Sequence, residues 1–200
     1  MSVVRLYLMR HARTAWNADR RIQGQTDTLL DDHGRAQARG WAGTLAALKV
    51  DAVYASDLLR ARETAALACA GLSVRRHVDP RLREQDWGDW TGLGRAELRG
   101  EHAEAVAAQE ALGFGFCPPG GESREELLAR VRAALLDAAA AHPGARLLVV
   151  THNGCIRALL HRLLGLGWLP GEPDPIEPYR LHVLHAKDGD LRLVARNEAL

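Results

Sequence analysis

The chain has 200 residues, 47% hydrophobic and 26% charged, a globular composition that excludes a disordered tail protein and a fibrous one and suffices for a single packed core. Its formal net charge of +1 provides no global field for nucleic acid or an anionic membrane, so any anion recognition has to be local. Arginine can provide it. Lysine occurs only at Lys49 and Lys187, and a guanidinium grips phosphate or carboxylate bidentately where an ammonium is a point charge.

The first apolar run, residues 3–9, lacks polar alternation and predicts a strand buried on both faces. Helical periodicity follows over 34–48, then a second buried strand over 52–55 and a helix over 57–70. Two further helices are predicted over 96–112 and 124–141, a third buried strand over 147–151, and a helix over 156–164. Near the end, 180–186 and 191–195 flank Lys187-Asp-Gly-Asp190, whose Asp-Gly pair predicts a hairpin. Strands alternating with helices imply a mostly parallel sheet covered on both faces, with one antiparallel element added. Irregular stretches fall at 114–121 and 170–178, where loops commonly shape substrate access.

Cys69, Cys117 and Cys155 are odd in number and unpaired in spacing, which predicts neither a disulfide framework nor a zinc knuckle and fits a reducing compartment. The first residues carry too short an apolar run for a secretory signal, and no run is long enough to span a membrane. A cytoplasmic location is the expectation.

Each buried strand runs directly into a polar cluster: Arg10-His11-Ala12-Arg13-Thr14 after the first, Ser56-Asp57-Leu58-Leu59-Arg60 after the second, Thr151-His152-Asn153-Gly154 after the third. In a parallel sheet these carboxyl ends share one edge, which is where open α/β sheets bind ligands. Arg10, His11, Arg60 and His152 therefore converge, beside helix N-termini that also favour anions. Such a pocket suits a phosphoryl dianion. A metal is not expected there, because no histidine pair has ligand spacing with a nearby carboxylate and the two arginines repel a divalent ion. His33, His77, His102, His142, His161, His182 and His185 are read as structural.

The stretch Leu8-Met-Arg-His-Ala-Arg-Thr-Ala-Trp-Asn17 resembles the signature of the histidine phosphatase superfamily, the phosphoglycerate mutase-like family. Arg21-Ile-Gln-Gly24, Ser56-Asp-Leu-Leu-Arg-Ala61, Leu82-Arg-Glu84 and Thr151-His-Asn-Gly154 follow in the family's order, so the resemblance covers nearly the whole chain. It implies a three-layer α/β/α sandwich and an activity without metal or organic cofactor. It makes His11 the nucleophile that becomes a phosphohistidine, Arg10, Arg60 and His152 the clamp on the equatorial oxygens, and Glu84 the acid that protonates the leaving alkoxide and then activates water. Asn17, Gln23, Gly24 and Asn153 are expected to line the same pocket. Ser123 is expected either to contact substrate or to cap the following helix. Ala12, Thr151, Asn153 and Thr91 depart from the residues commonest in the family at those places.

Residues 85–123 are expected to form a lid within one domain spanning 1–200. Trp87, Trp90, Phe114 and Phe116 in it are read evenly as core aromatics or as substrate-lining ones. The modest span from Glu84 to Thr151 favours a phosphatase of a small phosphorylated metabolite over a cofactor-dependent phosphoglycerate mutase, with a non-catalytic phosphoester-binding protein as a third alternative. A homodimer is kept open, because dimers are common among oligomers of any fold.

Overall fold

The computed structural model describes residues 2–200. Four strands run parallel, β1 (Val4–Arg10), β2 (Ala52–Ala55), β3 (Arg75–Val78) and β4 (Arg146–Thr151), and two are antiparallel additions, β5 (Leu181–Lys187) and β6 (Asp190–Glu198). The sheet order is β3-β2-β4-β1-β5-β6. β5 and β6 meet in a two-residue turn, Asp188-Gly189, with φ of 51° and 79°. Positive φ at both positions matches the right-handed twist of the flanking strands.

The central strands send alternate side chains into two cores. Leu6 and Leu8 of β1 and Leu147 and Val149 of β4 meet α7 (Arg124–Ala141) and α8 (Asn153–Leu163) on one face. Tyr7, Met9, Leu148 and Val150 meet α2 (Asp32–Gly40), α3 (Ala42–Ala47) and α4 (Leu59–Ala68) on the other. Both side-chain sets are apolar, which is why these strands show no polar alternation. The result is the three-layer sandwich.

Three elements differ from the sequence reading. The helix expected over 34–48 stops at Gly40 and restarts after Trp41, whose indole is buried. That expected over 96–112 divides into α5 (Arg95–Gly100) and α6 (Ala103–Glu110). Both breaks follow a glycine, which weakens a helix interior by about 1 kcal/mol relative to alanine. β3 was not anticipated, because Arg75-Arg-His-Val78 is a largely exposed edge strand without an apolar run. A short helix, α1 (Ala15–Ala18), follows the first polar cluster.

Residues 85–123 build a third apolar cluster, with Trp90, Leu98 and Phe116 buried and Ile22, Trp87, Leu93 and Val106 packed around them. Arg124 ties this region to the loop after α8: its guanidinium lies 4.1 Å from the ring centroid of Phe116 and 4.1 Å from that of Trp168.

Candidate active site

Register brings the first and last polar clusters together. Arg10 ends β1 opposite Thr151 of β4, and the His11 amide continues the ladder by donating to the Thr151 carbonyl at 2.9 Å. His11 and His152, each the next residue, thus face one another with ring centroids 5.2 Å apart. Thr64 secures the loop from below: its hydroxyl accepts from the Ala12 amide at 2.9 Å and donates to the Arg60 carbonyl at 2.7 Å.

The tautomer of His11 follows from its neighbour. Nδ1 lies 2.7 Å from the Ala12 carbonyl, an oxygen that only accepts, so the proton is assigned to Nδ1 and the lone pair to Nε2. Burial first, then the charges of Arg10 and Arg60, hold the His11 imidazole well below its ordinary pKa, and the bond to Ala12 only partly opposes this. The ring is therefore neutral at neutral pH and carries a free basic nitrogen. His152 is held down likewise, by burial and then by Arg60, His11 and Arg10. Its side chain is fully buried and, unlike His11, does not line the cavity described below, and neither ring nitrogen has a protein partner.

Arg60 is fully buried and fixed in direction: Nη1 donates to the Thr26 carbonyl at 2.7 Å and Nη2 to that of Gly24 at 2.8 Å, leaving Nε unpartnered. Burial pushes its pKa down to about 10, so it stays charged at neutral pH. Gly24 presents that carbonyl from a left-handed turn with φ of 49°, where a Cβ would also press on the Thr91 hydroxyl. Arg10, whose Nε is likewise unpartnered, lies with its guanidinium 5.7 Å from the Tyr179 ring centroid.

Glu84 reaches this group from a segment without regular structure. Its Oε1 accepts from the Gln85 amide at 2.9 Å and from the Gly154 amide in the first turn of α8 at 3.0 Å. Residue 154 has to be glycine for this approach, since a Cβ there would lie 2.3 Å from Oε1.

Arg10, His11, Arg60 and Glu84 line one cavity of about 350 Å³, together with Asn17, Gln23, Gly24 and Asn153. Asn17 accepts from the Thr14 amide through Oδ1 at 3.1 Å, which leaves its NH₂ as a donor. Ser123 is not on the wall: its hydroxyl caps α7, accepting from the Glu126 amide at 3.2 Å and donating to the Glu126 carboxylate at 2.7 Å. Of the aromatics, Trp87 and Phe116 line the cavity, whereas Trp90 belongs to the third cluster alone. Sequence reasoning missed Arg21, Arg95, Arg99 and Arg157, which also line the cavity. Arg21 was noted only as part of a motif, and nothing in the local sequence of the others marks them.

A neutral imidazole with its lone pair free, beside two guanidiniums and a pinned carboxylate, is an arrangement able to attack phosphorus and to exchange a proton with a leaving group. Residues 6–199 match the model of the histidine phosphatase superfamily, branch 1. The chain belongs to that superfamily. Within it, the chain is 41% identical over 162 residues to phosphoglycerate mutase-like protein 4 of Arabidopsis thaliana, covering 78% of this chain and 70% of that one. It is 39% identical over 178 residues to the glucosyl-3-phosphoglycerate phosphatase of Mycobacterium tuberculosis, covering 83% and 78%. A solved mycobacterial glucosyl-3-phosphoglycerate phosphatase in complex with VO3 superposes with a TM-score of 0.85 at 32% identity over 98% of this chain and 99% of that one. The relatives are thus named for both phosphatase and mutase activity. Among the described residues, no helix is long and apolar enough to cross a membrane.

Proposed function

We propose that this histidine phosphatase superfamily member hydrolyses a phosphomonoester of a small metabolite through a phosphohistidine on His11. The observation that carries the reading is the bond from His11 Nδ1 to the Ala12 carbonyl, which leaves Nε2 as the nucleophile in a ring kept neutral by burial and by Arg10 and Arg60. In the first half-reaction Nε2 forms the bond to phosphorus, the phosphorus–oxygen bond to the alcohol breaks, and Glu84 supplies the proton the alkoxide needs. In the second, water attacks the phosphohistidine, its proton passes to Glu84, and His11 and inorganic phosphate are released. Arg10, Arg60 and His152 hold the phosphoryl oxygens throughout, acting by position and charge. Asn17, Gln23, Gly24 and Asn153 complete the wall of a cavity whose volume suits a small metabolite.

The likeness to a glucosyl-3-phosphoglycerate phosphatase over almost the whole of both chains supports hydrolysis over phosphoryl return to a second hydroxyl. The test is a rapidly trapped phosphoenzyme, quenched in alkali and mapped by mass spectrometry. Phosphate on His11, loss of turnover in His11→Ala, and decay of the phosphoenzyme in water at a rate no slower than turnover are expected. Robust turnover by His11→Ala with no phosphoenzyme in the parent overturns the covalent route. A phosphoenzyme stable in water until a phosphoglycerate acceptor is added makes the protein a mutase.

A further inference from the structure

A glutamine on the wall of a phosphoryl pocket helps or hinders according to which end of its carboxamide faces the ligand. The NH₂ donates to a phosphoryl oxygen, whereas the carbonyl oxygen repels it. Gln23 is buried and lines the cavity beside Arg10, His11 and Asn17. Its orientation is decided by two residues that do not line the cavity, Thr14 and Thr28. Oε1 accepts from the Thr28 hydroxyl at 2.7 Å and lies 3.0 Å from the Thr14 hydroxyl. Among the described residues, Nε2 has no hydrogen-bond partner.

Thr14 cannot hold that oxygen by itself. Its hydroxyl has a single proton and faces two acceptors, Gln23 Oε1 at 3.0 Å and Asn17 Oδ1 at 3.1 Å. The same hydroxyl also accepts from the Asn17 amide at 3.1 Å as the cap of α1. Thr28 removes the competition, because with its own proton on Gln23 the Thr14 proton is left for Asn17. The stretch that carries it is itself fixed. Arg60 donates to the Gly24 and Thr26 carbonyls, and Asp27 Oδ1 accepts from the Leu59 amide at the start of α4 at 2.6 Å. One hydroxyl then serves each amide oxygen, and the NH₂ groups of Asn17 and Gln23 are both left for a phosphoryl group.

We propose that Thr28 is a positioning residue for phosphoryl binding: without touching the ligand, its hydroxyl holds the Gln23 carboxamide with the NH₂ toward the phosphoryl oxygens. The inference deepens the proposed reaction and rests on its phosphoryl pocket. Without the Thr28 hydroxyl, Asn17 and Gln23 share one proton, the Gln23 amide is free to turn, and its oxygen opposes the charge that Arg10 and Arg60 attract.

Thr28→Val keeps the branched shape and removes the hydroxyl. It is expected to weaken the binding of inorganic phosphate, read by titration calorimetry, and to lower kcat/KM, each by about threefold to tenfold, the scale of one hydrogen bond. The loss in kcat/KM should be the same for a sugar phosphate and for p-nitrophenyl phosphate, since Gln23 serves the transferred group and not the leaving one. Thr28→Ser should recover most of both losses. In a Gln23→Leu background Thr28→Val should cost nothing further, because no carboxamide remains to be oriented. Circular dichroism of each variant verifies the fold. Phosphate affinity unchanged in Thr28→Val, a loss that Thr28→Ser does not recover, or a loss undiminished in the Gln23→Leu background overturns the positioning role. Calorimetry needs no turnover, so failure to hydrolyse either substrate overturns the phosphatase reading while phosphate affinity still decides the role of Thr28.

Discussion

In the proposed mechanism Glu84 serves both half-reactions, and its position is set by contacts that can be disturbed one at a time. A general acid matters in proportion to how much the departing oxygen needs a proton. For Glu84→Gln, single-turnover phosphoenzyme formation is expected to fall by about 10²–10⁴ with a sugar phosphate and by less with p-nitrophenyl phosphate. Gly154→Ala should reproduce that leaving-group signature while keeping the carboxyl group itself, because the new Cβ would lie 2.3 Å from Oε1 and displace it. Equal losses for both substrates in Glu84→Gln would move the acid role to another group. Asp86, two residues on, is poorly placed for it, because its Oδ1 accepts from the Gly88 amide at 3.0 Å and it does not line the cavity. Glu84 was legible only through its Leu-Arg-Glu context in the family. Local physics offered no reason to choose it, since it follows a 3-10 turn, Pro80–Leu82, and ends no strand.

At the scale of elements, α7 does for Glu84 what the strand ends do for the histidines. Arg130 on that helix donates through Nη1 to the carbonyls of Arg81 at 2.8 Å and Arg83 at 2.6 Å, and through Nη2 to that of Glu84 at 2.9 Å. Its Nε and Nη2 also engage the two oxygens of Glu122, at 2.5 and 2.7 Å. A helix thereby holds a strip of chain that has no ladder of its own. Arg130→Gln should slow phosphorylation by the sugar phosphate by up to about 10², the range for a small misplacement of a reacting group, and affect p-nitrophenyl phosphate less. Arg130→Lys should recover little, since an ammonium cannot span the same carbonyls and carboxylate. An equal slowing of both substrates would reduce Arg130 to a structural role. The strands that end at Arg10 and just before His152 could be read from their unbroken apolar runs, and α7 matched its expected limits. The two split helices could not, because the energy of one glycine decides little until Trp41 finds its buried place.

For the whole molecule, the buried imidazoles set a pH dependence of stability. Burial is the first cause in each case: His11 and His152 are held well below the ordinary value, and His182 is pushed down to about 4. Unfolded, each takes a proton near pH 6.5, whereas the folded chain refuses it until lower pH. Their contribution is therefore fully present above about pH 6.5 and is lost as pH falls toward the folded values. Thermal melts should show Tm declining between about pH 7 and 5, before most carboxylates titrate. A flat Tm over that interval contradicts the assignment of neutral buried rings. The inner cavity was legible because parallel strands end on one edge. The mouth was not, because α5 and α8 are brought together only when residues 85–123 fold onto their own apolar cluster.

The unpartnered nitrogens around His11 have a consequence for how long the protein lasts. Arg10 Nε, Arg60 Nε and both nitrogens of His152 are buried without protein partners, and an unsatisfied buried donor costs about 1–3 kcal/mol. A tetrahedral oxyanion in the cavity supplies acceptors for the Arg10 and Arg60 donors, and inorganic phosphate offers the same oxygens as any substrate. Whatever binds only the folded chain shifts folding by RT ln(1 + [L]/Kd). Survival against heat and proteolysis should therefore rise with the surrounding phosphate concentration, and under the proposed hydrolysis the end product would act as a preservative of the fold.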